Sequence, residues 1–295
     1  MKLKKILIAG CGQMGQSHLL SFLNKKGYEI SIFDKSEVLL KLSKKFKKKN
    51  ILFFDKIPKS LSYDFVIIST GSLERFSITC KLLKYNKISK VLLEKFIFQK
   101  IINYNVFEKY LKINNTRCYV NSWGESLSNL LDINKIVKND ASLNITINKG
   151  QYLTNLIHII CMICQIVEFK NKNIFKLNIK HVFNSKIKQY HEVDANLNIL
   201  NLKQNICINI YSKKQKNIFD FKLISKKNNI SISLNRKLKI LKKINNKKKF
   251  FDFPLSSIYS EKIYRNLNNK HYPYKFINYS FAKKISILIL KLLNQ

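Results

Sequence analysis

Gly10, Gly12 and Gly15 form a Gly-x-Gly-x-x-Gly turn in "AGCGQMGQ", and Asp34 closes the next apolar run, "YEISIFD". Glycines at this spacing suit a dinucleotide. Gly10 permits the tight turn, Gly12 lets the backbone approach a pyrophosphate, and Gly15 allows close packing of helix on strand. A helix opening at Gln13 and Met14 would offer free N–H groups and a positive dipole end to the phosphates. Asp34 is placed to accept hydrogen bonds from an adenosine ribose 2′-OH, which favours NAD. Lys35 and Ser36, next in the chain, could instead meet a 2′-phosphate, so NADP stays open. The other group that could do chemistry is His158, inside the apolar stretch "QYLTNLIHIICMICQIVEF" at 151–169, beside Cys161 and Cys164. By residue type it reads as a core histidine, a metal ligand next to two thiols, or a general base. A tetrahedral zinc site wants about four nitrogen or sulfur ligands. No second Cys-x-x-Cys or histidine cluster accompanies this one. No metal is expected, and both thiols read as small buried hydrophobes.

The elements needed to position these residues can be followed along the chain. "LKKILIA" reads as a strand, "QSHLLSFLNKKG" as a helix, and "YEISIFD" as a second strand. That strand–turn–helix–strand–acid order is the context a glycine fingerprint requires. "LSKKFKKKNILFF" leads into a third strand, "YDFVIIST" is a fourth ending near Ser69, Thr70 and Gly71, and "KVLLEKFIFQK" a fifth ending at Glu94 and Lys95. Alternating β and α elements with Val/Ile-rich strands predict a doubly wound parallel sheet. Ligands of such sheets sit outside the carboxyl ends of the strands, so the segments 10–15, 34–36, 69–75 and 94–96 are expected to line one crevice. From "CYVNSW" onward the pattern changes. Asn121 and Trp123 either line a substrate pocket or begin the first strand of a second domain. A buried helix at 152–168 is followed by alternating runs from "IFKLNIKHVF" to "KLKILKKI", which predict an open, largely antiparallel sheet. Lysine-rich turns such as "NNKKK" read as solvated loops, and the tail from "KFINYSF" has helical periodicity. The expected division is a dinucleotide-binding domain at 1–118 and a substrate-binding and oligomerisation domain at 119–295.

Charge excludes one tempting class. The formal net charge is +38, from 55 basic against 17 acidic residues, which would usually point to nucleic acid. Yet the arginines are only Arg75, Arg117, Arg236 and Arg265, and the lysines are spread along the whole chain. Readers of nucleic acid favour arginine clustered on one element, so no specific nucleic-acid partner is expected. An anionic substrate would be attracted to almost any cleft. Cys11, Cys80, Cys118, Cys161, Cys164 and Cys207 show no extracellular framework spacing and read as reduced thiols. The first apolar run is short for a signal peptide and runs into the glycine turn. The apolar stretches 156–169 and 285–293 fall short of the ~20 residues of a spanning helix. The expectation is a cytoplasmic protein with no membrane partner.

These motifs together resemble the glucose–fructose oxidoreductase, inositol dehydrogenase and MocA family of NAD(P)-dependent sugar and polyol oxidoreductases. The resemblance rests on the turn at 10–15, on "DFVIIST" followed by a helix, and on "VLLEKF" at 91–96. It implies an N-terminal Rossmann domain followed by an α/β domain with an open, mostly antiparallel sheet; an open sheet there suggests a homo-oligomer paired through that face. The family's Glu-Lys-Pro is represented by Glu94 and Lys95, with Phe96 in place of the proline. Its Asp-x-x-x-His on a helix of the second domain falls on "TNLIH", with Thr154 at the aspartate and His158 at the histidine. Asn155, with His158, matches an Asn-x-x-His variant of members from bacterial surface-polysaccharide pathways. Arg75 stands where other members carry histidine. The resemblance assigns Lys95 and His158 catalytic roles. Lys95 would stabilise a developing alkoxide, and His158 would act as general base toward a sugar or sugar-nucleotide hydroxyl. Asn155, one face of helix with His158, and Thr154 would hold the substrate. The missing aspartate motivates an alternative, a nucleotide-binding subunit or scaffold without catalysis.

Overall fold

The computed structural model describes residues 3–47, 50–132, 141–148, 152–163, 174–184, 191–201, 204–211, 217–225, 229–235, 239–244, 247–253 and 255–293. The chain divides into two compact units, residues 1–123 with 255–290, and residues 124–254 with 291–295.

In the first unit the strands are β1 (Lys4–Ala9), β2 (Tyr28–Phe33), β3 (Ile51–Phe54), β4 (Ser62–Tyr63), β5 (Phe65–Ile68), β6 (Lys87–Ile88), β7 (Lys90–Leu93) and β8 (Arg117–Val120). A final two-residue strand, Ile277–Asn278, completes a seven-stranded sheet in which the order is this strand, then β8-β7-β5-β1-β2-β3. All pairings are parallel except that of the final strand with β8. The two-residue strands β4 and β6 pair with each other in parallel beside it. The sequence explains the burial. Ile6, Leu7, Ile8 and Ala9 of β1 and all of Phe65–Ile68 are inaccessible to solvent, as strands covered on both faces must be.

Helices α1 (Gln13–Leu23), α2 (Ser36–Lys45), α3 (Ser72–Tyr85) and α4 (Ile101–Ile113) connect the strands. Helix α1 buries Gly15, His18, Leu19 and Phe22, the i, i+3, i+4, i+7 stripe of a helix lying on a sheet. Basic residues close α2, with Lys44 and Lys45 in its last turn and Glu37 in its first, matching the helix dipole.

Residues 119–123 and 255–290, expected in the second domain, pack with the first unit. Tyr264 stacks on Phe65 with ring centroids 4.7 Å apart, and Phe276 and Ile263 join the same apolar cluster. The helix Ser260–Arg265 and the last helix, Tyr279–Leu293, as far as Leu290, belong to this return.

In the second unit, α5 (Gly124–Leu130) and α6 (Tyr152–Ile163) accompany strands β9 (Ala141–Asn148), β10 (Ile174–Asn184), β11 (His191–Asn201), β12 (Gln204–Tyr211), β13 (Asn217–Ser225), β14 (Asn229–Asn235), β15 (Lys239–Ile244) and β16 (Lys247–Asp252). The eight strands form one sheet, β10-β11-β12-β9-β13-β14-β15-β16, antiparallel except where β12 pairs with β9. Strand β16 corrects the reading of "NNKKK" as a loop. Lys247, Lys248 and Lys249 are exposed on an edge strand, where lysines discourage pairing with another sheet. Helix α6 is buried on every side from Leu156 to Ile163, and α5 crosses it at Gly124. A Cβ on Gly124 would stand 2.0 Å from the His158 carbonyl oxygen, so only glycine fits there. Residues 164–168, expected to extend this helix, lie outside the described residues.

Candidate functional site

The glycine turn is built by contacts that each glycine makes possible. Gly10 has φ +85°, and a Cβ on it would meet the Thr70 backbone nitrogen at 2.6 Å. Its N–H donates to Phe33 O at 2.9 Å. A Cβ on Gly15 would stand 2.0 Å from Gly10 O, so helix and turn touch only because both residues lack side chains. Gly12 differs, since a Cβ there meets nothing within 4 Å. It is the N-cap of α1, and no side chain caps the helix. The first-turn N–H groups, including those of Gln13 and Met14, therefore have no cap from the N-cap residue, an arrangement that an anion can use.

Asp34, at the end of β2, is half-buried and tied to the turn. One carboxylate oxygen accepts from Cys11 N at 2.6 Å and the other from Lys35 N at 2.7 Å. Each oxygen keeps a lone pair for a ribose hydroxyl. Burial first, then the Asp34 charge, push the Cys11 thiol up to about 12 against the opposing pull of Lys45, so it packs as a neutral group. Lys45 reaches Gln16 Oε1 at 2.8 Å.

From the neighbouring strand end, Ser69 donates its hydroxyl to Gly10 O at 2.5 Å, and its N–H goes to Ala9 O at 2.8 Å. Gly71 is the N-cap of α3. Sequence reasoning placed Arg75 here without its role. Its guanidinium is 3% exposed and donates to Thr70 O at 2.5 Å, Glu94 O at 2.5 Å, Phe96 O and Ile97 O at 3.4 Å. One buried cation thus fastens the loop after β5 to the loop after β7, which carries Lys95. The Lys95–Phe96 peptide is cis, and Lys95 is half-buried.

Glu94 points into the interior, 3% exposed. Its Oε1 lies 2.8 Å from His18 Nε2 and accepts from Asn121 Nδ2. Burial is the largest influence and raises its pKa, but the hydrogen bond and charge of His18 and the contributions that follow outweigh it together. Asn121 and the Lys95 charge add to the effect, and the carboxyl sits below its usual range. His18 continues through Nδ1 to Ser260 Oγ at 2.6 Å. Neither His18 nor Ser260 was singled out from sequence. The available signal was a histidine three residues after Gly15, on the face of α1 that must be buried. Asn121, read as a candidate for the substrate pocket, is 4% exposed and gives its amide to Glu94. Trp123 is buried at the end of the first unit.

The strand ends therefore bring Gly10, Gly12, Gly15, Asp34, Ser69, Thr70, Glu94, Lys95 and Asn121 together in the first unit. His158 lies in the second, 2% exposed on α6. Thr154 and Asn155 fall on the same helix, and their side chains lie outside the described residues. Cys161 is buried, and Cys164 lies outside the described residues. Among the described residues no group of three or more His, Cys, Asp and Glu side chains could hold a metal. No helix among them is long and apolar enough to cross a membrane.

The fold is one seen before. A super-repressor mutant of Gal80p from Saccharomyces cerevisiae superposes with a TM-score of 0.77 at 11% identity, covering 99% of this chain and 95% of that one. The dehydrogenase MviM from Clostridium difficile gives 0.73 at 13% identity, covering 99% of both chains. Biliverdin reductase from Synechocystis, solved with biliverdin and NADP+, gives 0.70 at 11% identity over 98% of both. No family model matches the sequence, and no curated protein matches it by sequence. At these identities the likeness is one of architecture. The chain has an α/β fold of the kind found in Rossmann-type oxidoreductases, with a mostly parallel sheet in one unit and a mostly antiparallel sheet in the other.

Proposed function

We propose that this protein is an NAD(P)-dependent oxidoreductase of the glucose–fructose oxidoreductase, inositol dehydrogenase and MocA family, acting on a sugar or sugar-nucleotide hydroxyl or ketone. The observation that carries this reading is the open space at Gly12 above an uncapped helix start, next to a fixed Asp34 and two strand ends away from Lys95. The α1 N-terminus would hold the pyrophosphate, and Asp34 the adenosine ribose, with NAD favoured over NADP. A bound nicotinamide supplies hydride transfer. Lys95 would stabilise the negative charge that develops on the substrate oxygen, and His158 would take or return its proton. Thr154 and Asn155 would bind the sugar. MviM and biliverdin reductase, named as a dehydrogenase and a reductase, support oxidoreductase chemistry in this architecture. A place in surface-polysaccharide synthesis, a cytoplasmic location and pairing of copies through the second unit's sheet complete the reading.

A second reading has its own support. Thr154 occupies the aspartate position, and Gal80p, described as a transcriptional regulator, shares the fold. A non-catalytic nucleotide-binding subunit would have the same turn. Turnover assays with NAD+ and NADP+ against a panel of sugars and sugar nucleotides separate the two. The enzyme reading expects turnover lost in both Lys95→Ala and His158→Ala with NADH binding retained in His158→Ala. NADH binding with no turnover across the panel would favour the second reading.

A further inference from the structure

A carboxylate removed from water is seldom repaid in stability by its ion pair, so such a pair is better evidence of a geometry being held. Glu94 is such a carboxylate, and sequence-distant segments converge on it. His18 reaches it from α1 at 2.8 Å, and Asn121 donates to the same oxygen from the end of β8. Asn121 is itself held by its N–H to Leu93 O at 2.9 Å. On its other side His18 is anchored at 2.6 Å to Ser260. The Ser260 hydroxyl lies 3.0 Å from the carbonyls of both Ser256 and Ser257. The Glu94 carboxylate can only accept, so His18 Nε2 carries the hydrogen that faces it, while Nδ1 and the Ser260 hydroxyl share the second hydrogen bond. Lys95 is the next residue along the backbone. The chain on either side of it is held by Arg75 at the carbonyls of Glu94, Phe96 and Ile97.

We propose that His18 is a positioning residue for Lys95, acting through Glu94. It ties the lysine's loop to the same helix whose first turn faces the dinucleotide site, so the two parts of the site keep one relative geometry. The proposal rests on the reading of Lys95 as a cofactor-side residue.

Reductive methylation of the lysines, with each site quantified by peptide mass spectrometry, tests it without knowledge of the substrate. Labelling is compared with and without NAD+, with exposed Lys25 as the internal reference. In the wild type NAD+ should protect Lys95. In His18→Leu that protection should weaken about tenfold, as expected for the loss of one hydrogen bond to a charged group. His18→Gln, whose amide can still donate to Glu94, should recover most of it. The double variant His18→Leu/Glu94→Gln should lose no more than the worse single variant, because both changes break one contact. A merely structural histidine would lower the unfolding temperature yet leave NAD+ protection of Lys95 intact, and that result overturns the proposal. If the wild type itself shows no protection, the reading of the site fails and the positioning role with it. If the wild type is protected and His18→Leu equally so, only the positioning role fails. Should His18→Leu not fold, Ser260→Ala cuts the Nδ1 anchor alone. Weakened protection there supports the role, and unchanged protection overturns it.

Discussion

Two glycines of the same turn should respond in opposite ways to the same substitution. At Gly12 an alanine Cβ meets nothing within 4 Å, and the residue already has φ −66°. Exchanging glycine for alanine at an N-cap should cost at most about 1 kcal/mol. The methyl group would, however, occupy the space above the α1 N-terminus into which a pyrophosphate must fit. Displacing the phosphates by even part of a methyl radius from the N–H groups should raise the NADH Kd by about 10- to 100-fold, or about 1.4–2.8 kcal/mol. At Gly15 the new Cβ would stand 2.0 Å from Gly10 O and 2.9 Å from Ser69 Oγ. Ordinary contact then requires about 1.4 Å of backbone movement, and overpacking of this kind costs about 3 kcal/mol. The helix propensity of alanine returns about 1 kcal/mol. The net loss of about 2 kcal/mol corresponds to a fall in Tm of about 4–8 °C. Fluorescence titration with NADH and thermal unfolding with and without the nucleotide read both effects on the same samples. Gly12→Ala should lower the Tm without nucleotide by no more than about 2–4 °C and lose most of the NADH-induced rise. A Gly12→Ala protein that binds NADH like the wild type would refute the assignment of that space to the pyrophosphate. A Gly15→Ala protein as stable as the wild type would refute the contact argument.

Other perturbations follow from the same contacts. Arg75→Met leaves the carbonyls of Thr70, Glu94, Phe96 and Ile97 without their shared donor, and should cost about 3 kcal/mol in urea unfolding. Arg75→Lys should recover only part of this, because a point charge cannot fork between two loops. Glu94 has its folded pKa lowered, by His18, Asn121 and Lys95 acting against burial. Its ionised form therefore adds stability above the unfolded value of about 4.3, and that contribution is lost as pH falls through the folded value. Glu94→Gln should flatten the acid limb of the stability–pH curve below about pH 5, and an unchanged limb would count against the pair. Gly124→Ala, with its Cβ 2.0 Å from His158 O, should speed hydrogen exchange in 152–163 while leaving that of 4–9 unchanged. Equal protection of α6 in the variant would show that the two helices do not need the glycine.

The residues legible from sequence were those whose role is local. Gly10, Gly12 and Gly15 act on a turn a few residues long, and Asp34 on the next strand end, so spacing alone located them. The alternating runs of the second unit were equally readable, because period-two patterning is itself local. "NNKKK" was misread because composition reports exposure. Lys247 to Lys249 are exposed, but exposure does not distinguish a loop from an edge strand. What spacing could not reach were the contacts made across long separations. Ser260 follows His18 by 242 positions and still closes the same buried chain. It reaches there because residues 255–290 return to the first unit, and no change of composition marks that return. Arg75 shows the limit from another side. Its place in the helix after β5 was plain, but a buried guanidinium spent on backbone carbonyls leaves no partner residue in the sequence to reveal it. The acceptors belong to main chain that any sequence would supply. The same holds for Asn121, whose amide looked equally suited to a sugar until the structure placed Glu94 against it. A candidate site read from motifs therefore records the groups that would face a ligand. The groups that hold those residues in place, here His18, Arg75, Asn121 and Ser260, become visible only when the fold closes around them.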